Sequence, residues 1–307
     1  KLGRTGEQVS CIGLGGAHIG SQKDEAESIQ IIRRALDNGI NFLDNCWDYH
    51  EGQSELRMGK ALQDGYRSKA FLMTKIDGRD KKTAEAQINE SLQRFKTDHL
   101  DLLQLHEVIH TNDPERCFAP GGVIEAMVAA KKAGKARFLG FTGHKSPALH
   151  LKMLEAAKKH GLRFDAVQMP LNVMDAHYDS FEKRVLPVLV REGIGVLGMK
   201  PLGGNIILES KTVTAPECLR YALSLPVSVV ITGMDSMERL DQGLKAAREF
   251  KPLSEKEVSA LLAKTEKAAR EGAFEKYKVS DHFDGTVHHP EWLGPGNAPQ
   301  PPAQQKG

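Results

Sequence analysis

The sequence predicts a single closed (β/α)8 barrel, the TIM-barrel arrangement, and three observations carry that prediction. Eight short β-type runs alternate with segments of helical period along the 307 residues. Several runs are nearly continuous in apolar residues, as strands covered on both faces require. No change of composition divides the alternation, and barrels of this size fold as one unit. An open doubly wound sheet is the competitor. Its G-x-G-x-x-G fingerprint is missing, because Gly13, Gly15, Gly16 and Gly20 of "GLGGAHIG" do not have that spacing.

The elements follow in order. "KLGRTGEQVS" reads as a hairpin turning at Thr5-Gly6, a lid on the barrel bottom. "SCIGLGG" (10–16) precedes a helix over 25–38, and "NFLDN" precedes one over 53–63. "AFLMTK" (70–75) is followed by a helix over 83–96, and "LDLLQLH" (100–106) by one over 121–134. "ARFLGFT" (136–142), "AVQMP" (166–170), "GIGVLGMKP" (193–201) and "VSVVITG" (227–233) each precede a further helical segment. An extra helix is expected over 254–271, which ends the barrel unit at residues 1–271. Residues 272–307 form an extension rich in Gly, Pro and His, with Phe283, His288, His289 and Trp292. It is either a cover over a pocket or a plain surface wrap, and its Pro- and Gln-rich end is expected to fray.

Composition excludes several classes. Forty-two basic against forty acidic residues give a net charge of +2 without a Lys/Arg-rich run, so no nucleic-acid partner is expected. No apolar stretch approaches the ~20 residues that span a bilayer, so no membrane partner is expected either. Cys11, Cys46, Cys117 and Cys218 are scattered and form no C-x-x-C pair. Free, mostly packed thiols follow, with neither a metal site nor a disulfide framework expected, which fits a reducing, cytoplasmic location. The chain begins at Lys1 rather than Met, so a removed signal and a trimmed terminus both remain open.

In a parallel barrel, reactive groups sit at the C-terminal ends of strands and in the loops beyond. Asp44 closes the second strand, with Tyr49 in the next loop; Lys75 closes the third and His106 the fourth. These types suit one task. A tyrosine, with pKa near ~10, is a poor acid unless its phenolate is stabilised. A neighbouring ammonium lowers that pKa, an aspartate holds the ammonium, and an imidazole orients a carbonyl oxygen. Two other chemistries compete. Lys75 as a Schiff-base nucleophile would make an aldolase-like barrel. A metal hydrolase is disfavoured because no H-x-H follows the first strand.

These residues resemble the aldo-keto reductase superfamily. "GINFLDNCWDYHEGQSE" is similar to its G-x-N-F-x-D-T-A-x-x-Y-G-x-S-E signature, and "MTK" and "LLQLH" match the next two in order. The resemblance implies Asp44, Tyr49, Lys75 and His106 as the catalytic set, Tyr49 giving the proton. It also implies a nicotinamide dinucleotide extended across the barrel mouth, NADP(H) favoured and NAD(H) possible. Gly16, Ala17 and Asp44 would lie against it. Thr142 in "GFTGH" and Gln168 in "VQMPLN" would hold the carboxamide. "GMKPLGG" resembles the pyrophosphate loop, with Met199 at the position that stacks on the nicotinamide. Lys200, Pro201, Leu202, Gly203 and Gly204 continue that loop. "ITGMDSMERLDQG" resembles the adenosine segment through Gly233, Met234, Asp235, Arg239 and Gln242. Asp235 would repel a 2′-phosphate, leaving Arg239 as the candidate cation.

By the same resemblance, His18, Trp47 and Asp48 fall in pocket-lining loops, with His144 close by and Trp292 in the tail. A stacking face with several hydrogen-bonding groups suits a sugar better than a steroid-like substrate. The alternative for Trp47 is packing against the C-terminal segment. The expected partner is a small carbonyl or alcohol substrate, the protein being a monomer or small homo-oligomer. A cofactor-sensing accessory subunit of the same fold is the alternative function.

Overall fold

The computed structural model describes residues 1–297 and Pro301. Eight strands close in chain order into one parallel barrel: β1 (Ile12–Gly15), β2 (Phe42–Asp44), β3 (Phe71–Ile76), β4 (Leu100–Leu105), β5 (Ala136–Thr142), β6 (Ala166–Pro170), β7 (Gly195–Met199) and β8 (Val229–Gly233). All residues of β1, β2, β3, β4 and β6 are buried, since the barrel interior covers one face and helices the other. Inside the barrel, Phe42, Phe71, Met73, Leu102, Leu197 and Val229 form one cluster, with Phe71 stacked between Phe42 and Phe138.

The outer layer begins with α1 (Glu25–Asp37), α2 (Gln53–Ala61), α3 (Lys81–Phe95), α4 (Asp113–Phe118) and α5 (Val123–Lys132). It continues with α6 (Pro147–Lys159), α7 (Phe181–Arg184), α8 (Leu186–Glu192), α9 (Ile206–Glu209), α10 (Ala215–Ser224) and α11 (Met237–Arg248). Side-chain caps explain many of the starts: Asp24, Asp80, Ser146 and Ser236 each accept from an early helical N–H. The expected extra helix is α12 (Glu255–Thr265), opened by a Ser254/Glu257 capping box.

The N-terminus departs from expectation. Residues 1–10 form no strand ladder, only a turn in which the Leu2 amide donates to Glu7 O at 2.9 Å and Thr5 to Leu2 O at 3.1 Å. The segment spends other bonds on the barrel floor, where the Arg4 amide donates to Gly193 O at 2.9 Å. Gly3 is required there: φ is +49°, and a Cβ would lie 2.5 Å from Gly195 N. Leu2, fully buried, joins the interior cluster and closes the barrel bottom as a plug.

The C-terminal segment is tied down by polar groups. Helices α13 (Lys276–Val279) and α14 (Gly285–His288) lie on the barrel mouth. Lys278 Nζ, fully buried, pairs with Asp175 at 2.6 Å and Glu275 at 2.9 Å. Glu107 accepts from the amides of Gly285 and Thr286 at 2.9 and 2.7 Å. Asp284 pairs with His144 at 2.8 Å and Lys145 at 2.6 Å. The end expected to fray lies outside the described residues, apart from Pro301. Among the described residues, no helix is long and apolar enough to cross a membrane, and all four cysteines are free.

The plug is testable. Leu2→Ala removes a fully buried side chain and is expected to cost about 2–5 kcal/mol. Urea unfolding should show a lower midpoint at unchanged slope. A midpoint equal to the parent's would show that the segment is not part of the core.

Candidate active site

Strand register brings the sequence-predicted groups together. Gly15 pairs with Asp44 and Asp44 with Met73, while Lys75 pairs with Gln104, two residues before His106. Asp44, Tyr49, Lys75 and His106 all line one cavity of about 890 Å³ at the C-terminal mouth. Lys75 Nζ donates to Asp44 Oδ1 at 2.6 Å, to Asn45 O at 2.7 Å and to the Tyr49 hydroxyl at 3.3 Å. An ammonium has three protons, so all are used. That occupancy argues against Lys75 as a free amine nucleophile. Asp44 is braced from its other side, where Gln168 Nε2 donates to Oδ2 at 2.7 Å.

The loop after β2 is built to present Tyr49. The Asn45 and Trp47 amides donate to Met73 O and Lys75 O, each at 3.0 Å, so the loop continues the ladder one side only. His50 and Glu51 then take left-handed backbone, with φ of 52° and 55°, and Gly52 follows at 83°. The reversal starts α2 and leaves the Tyr49 ring edge-on to His106, with centroids 5.9 Å apart. Glu55, fully buried one turn into α2, anchors the loop by accepting from Thr74 Oγ1 at 2.6 Å and pairing with Arg94 at 3.1 Å.

Electrostatics differ from the expectation for Tyr49. Its pKa is raised, not lowered: burial is the largest cause, followed by the charge of Asp44. Lys75 is already matched by Asp44 at 2.6 Å, so its field at the hydroxyl is largely offset. Tyr49 is therefore held as the neutral phenol, the form a proton donor needs. The second finding is a set of acidic groups around His106. Its Nδ1 lies 2.8 Å from Asp77 Oδ1, 3.6 Å from Asp48 Oδ1 and 3.2 Å from Cys46 Sγ. Burial alone would lower the imidazole pKa, but Asp77 and Asp48 outweigh it and the net shift is upward. Burial, then Asp77, pushes the Asp48 carboxyl up to about 7.

The other sequence-predicted residues divide. Ala17, Thr142, Gln168, Met199, Lys200, Pro201, Leu202, Gly204, Gly233, Asp235, Arg239 and Gln242 line the cavity, as do His18, Asp48 and His144. Gly16, Gly203, Met234, Trp47 and Trp292 do not line it. Gly16 serves close approach instead, since a Cβ there would lie 2.4 Å from Asp44 O. Gly203 makes the left-handed turn of its loop at φ 59°. Met234 is fully buried and packs its Cε over Gly243 of α11. Trp47 donates to Glu90 at 2.7 Å and meets Trp292 edge-on at 6.2 Å, so packing against the C-terminal segment is its observed role. Trp292 is in turn stacked on His289 at 4.3 Å.

Lys200 has a distinct setting. Its φ is 54°, and its Nζ sits 4.1 Å from the Phe283 ring centroid and 5.4 Å from that of Tyr277. Burial lowers its pKa to about 8. Sequence reasoning missed Asp77, Glu107 and Arg79. The first two follow Lys75 and His106 by two and one residues, and charged residues just past a strand end are the signal that marks them.

The geometry suits a nicotinamide cofactor. Thr142 and Gln168 are register partners on adjacent strands at the cavity wall. Gln168 Oε1 is buried and has no hydrogen-bond partner within the protein, so it is placed to accept from a carboxamide N–H.

The His106 cluster makes a pH prediction. His106, raised above its unfolded value near ~6.5, contributes stability present below that pH and lost as pH rises through the folded value. Asp48, raised to about 7, likewise makes stability fall as pH rises from its unfolded value of 3.8. Asp77→Asn should move both titrations to lower pH and flatten the decline, read by NMR titration and by denaturation at stepped pH. Titrations that stay in place would overturn the assignment of Asp77 as their cause.

Comparison with known proteins agrees with this geometry. The model of the Aldo/keto reductase family matches residues 11–217. The chain is 27% identical to the uncharacterized oxidoreductase YqkF of Bacillus subtilis, covering 86% of this chain and 95% of that protein. It is 28% identical to the L-galactose dehydrogenase of Arabidopsis thaliana, over 82% of this chain and 88% of the relative. An aldo-keto reductase from Bacillus halodurans, solved in its holo form, shares the fold with a TM-score of 0.74 at 22% identity, covering 90% and 98% of the two chains. With a matched family model over two-thirds of its length and an eight-stranded parallel barrel beneath it, the chain belongs to the aldo/keto reductase family of NAD(P)H-dependent oxidoreductases acting on small carbonyl compounds.

Proposed function

We propose that this protein reduces the carbonyl of a polyhydroxylated, sugar-like substrate with NADP(H), and that Tyr49 is the proton donor. The observation that carries the reading is the Tyr49 hydroxyl 3.3 Å from a Lys75 ammonium whose other protons go to Asp44 and Asn45 O. A bound nicotinamide cofactor would supply the hydride to the carbonyl carbon. Tyr49 gives its proton to the carbonyl oxygen, so the product is the alcohol and the phenolate is left beside Lys75. The ammonium stabilises that phenolate, and Asp44, locked by Gln168, keeps the ammonium charged and in place. His106, with Nδ1 engaged by Asp77, has Nε2 left for the carbonyl oxygen. Alcohol oxidation is the same path reversed.

Several cofactor and substrate assignments belong to this reading. Thr142 and Gln168 would hold the carboxamide, Met199 would lie by the nicotinamide, and the loop 200–204 would take the pyrophosphate. Arg239, hydrogen-bonded to Gln242 at 2.8 Å, is the cation for a 2′-phosphate, with Asp235 opposing it. His18, Asp48 and His144 offer hydrogen bonds to substrate hydroxyls, and a relative is named for a sugar, L-galactose. Residues 1–271 are the barrel. The segment after it is the pocket cover, since Phe283, His288 and His289 face the same cavity.

Tyr49→Phe should lower kcat for carbonyl reduction by about 10²–10⁴-fold with cofactor affinity retained. Full turnover in that variant would sink the mechanism. Fluorescence titration should show tighter binding of NADPH than of NADH, and Asp235→Ala should widen the gap. A wild-type preference for NADH would overturn the cofactor assignment.

A further inference from the structure

Three strand ends bring a second kind of site to the cavity floor. Cys46 and Asp48 come from the loop after β2, Asp77 follows β3, and His106 follows β4. One ligand-type atom from each, the Cys46 thiol, one oxygen of each carboxylate and one imidazole nitrogen, lies within 4.8 Å of all the others. From His106 Nδ1 the distances are 2.8 Å to Asp77, 3.2 Å to Cys46 Sγ and 3.6 Å to Asp48. Bonds of about 2.0–2.3 Å to a tetrahedral zinc place its ligands roughly 3.3–3.7 Å apart. The three distances from His106 Nδ1 fall in or below that range and the 4.8 Å bound on the others exceeds it by about an ångström, so side-chain shifts of that order close the site.

Its interior is also short of donors. Asp48 Oδ1 and Asp77 Oδ2 are buried without hydrogen-bond partners. Cys46 and Asp77 are fully buried, while Asp48 and His106 line the cavity and provide the path for entry. A thiolate with an imidazole selects zinc-like ions over magnesium or calcium, which prefer all-oxygen sites.

We propose that Cys46, Asp48, Asp77 and His106 form a four-coordinate site for a zinc-class dication in the floor of the pocket. The ion takes the place of the proton on His106 Nδ1. Its binding draws His106 and Asp48 toward the metal and away from the substrate, so occupancy inhibits turnover. That inhibitory part rests on the catalytic reading given above; the binding part does not.

The probe is Co²⁺ added to the chelator-stripped protein, followed by absorbance. One equivalent should produce the ligand-field bands of tetrahedral cobalt together with a thiolate-to-cobalt charge-transfer band, and Zn²⁺ should abolish both. Cys46→Ser should remove the charge-transfer band, and Asp77→Asn should weaken binding by at least about tenfold. A variant carrying His288→Ala and His289→Ala should keep the full spectrum. Absence of the charge-transfer band in the parent, or its survival in Cys46→Ser, would overturn the site. Carbonyl reduction by the parent should fall as Zn²⁺ fills the site and recover with chelator. Zinc that binds with the expected spectrum but leaves turnover unchanged would overturn the inhibitory role alone. Protein that shows the spectrum but turns over no carbonyl compound even when stripped would instead count against the catalytic reading.

Discussion

The buried guanidinium of Arg79 is the constraint on which the reactive end of the barrel depends. It is 1% exposed and uses its whole fork. Nε donates to Asp113 at 2.9 Å, Nη1 to Asp77 O at 2.6 Å, and Nη2 to His106 O and Glu107 O, each at 2.8 Å. Three backbone carbonyls from the ends of β3 and β4 are thus fixed by one planar group. Glu107 sits in a left-handed conformation at φ 44°, a state that costs a non-glycine residue of order 1–3 kcal/mol and persists only where its surroundings hold it. Removing one partner of such a buried pair leaves an uncompensated charge, at a cost of about 3–5 kcal/mol. The side chains that matter most hang from this fixed backbone: Asp77 on His106, and Glu107 on the C-terminal segment.

Charge in the pocket is arranged in two compartments that share Tyr49. On one side Asp44 and Lys75 form a closed pair, braced by Gln168, that holds an ammonium against the hydroxyl. On the other, Asp48 and Asp77 crowd His106. Burial and Asp44 favour the neutral phenol, and the Lys75 ammonium lies 3.3 Å from its hydroxyl. The same crowding that raises the His106 pKa also assembles ligand atoms close enough for a metal ion. Proton and dication are alternative answers to one excess of negative charge.

The C-terminal segment extends this logic to the pocket roof. Glu107 grips Gly285 and Thr286, Asp284 grips His144 and Lys145, and the Arg79 amide donates to Leu293 O at 2.9 Å. Polar anchors of this kind are directional, so they set where Phe283 and His288 face the cavity more tightly than apolar packing alone.

The sequence by itself determined the barrel and the four groups at its mouth. Period and alternation are local properties, and every strand lies within a few residues of its apolar run, because burial on both faces demands one. Asp44, Lys75 and His106 were legible because strand ends in a parallel barrel all point to one mouth. Only the tertiary structure decided the rest. Trp47 looked like a stacking face for substrate, but Trp292, 245 positions later, covers it. Met234 looked like a cofactor contact, but the smallness of Gly243 in α11 let it turn inward. The upward shift of Tyr49 comes first from its burial and then from the charge of Asp44, both set by how the mouth packs. Cys46, Asp48, Asp77 and His106 belong to three separate strand ends, with no motif spacing to link them. Sequence records which groups are near in the chain, whereas electrostatics and coordination fall off with distance in space, and the folding of the barrel alone converts one into the other.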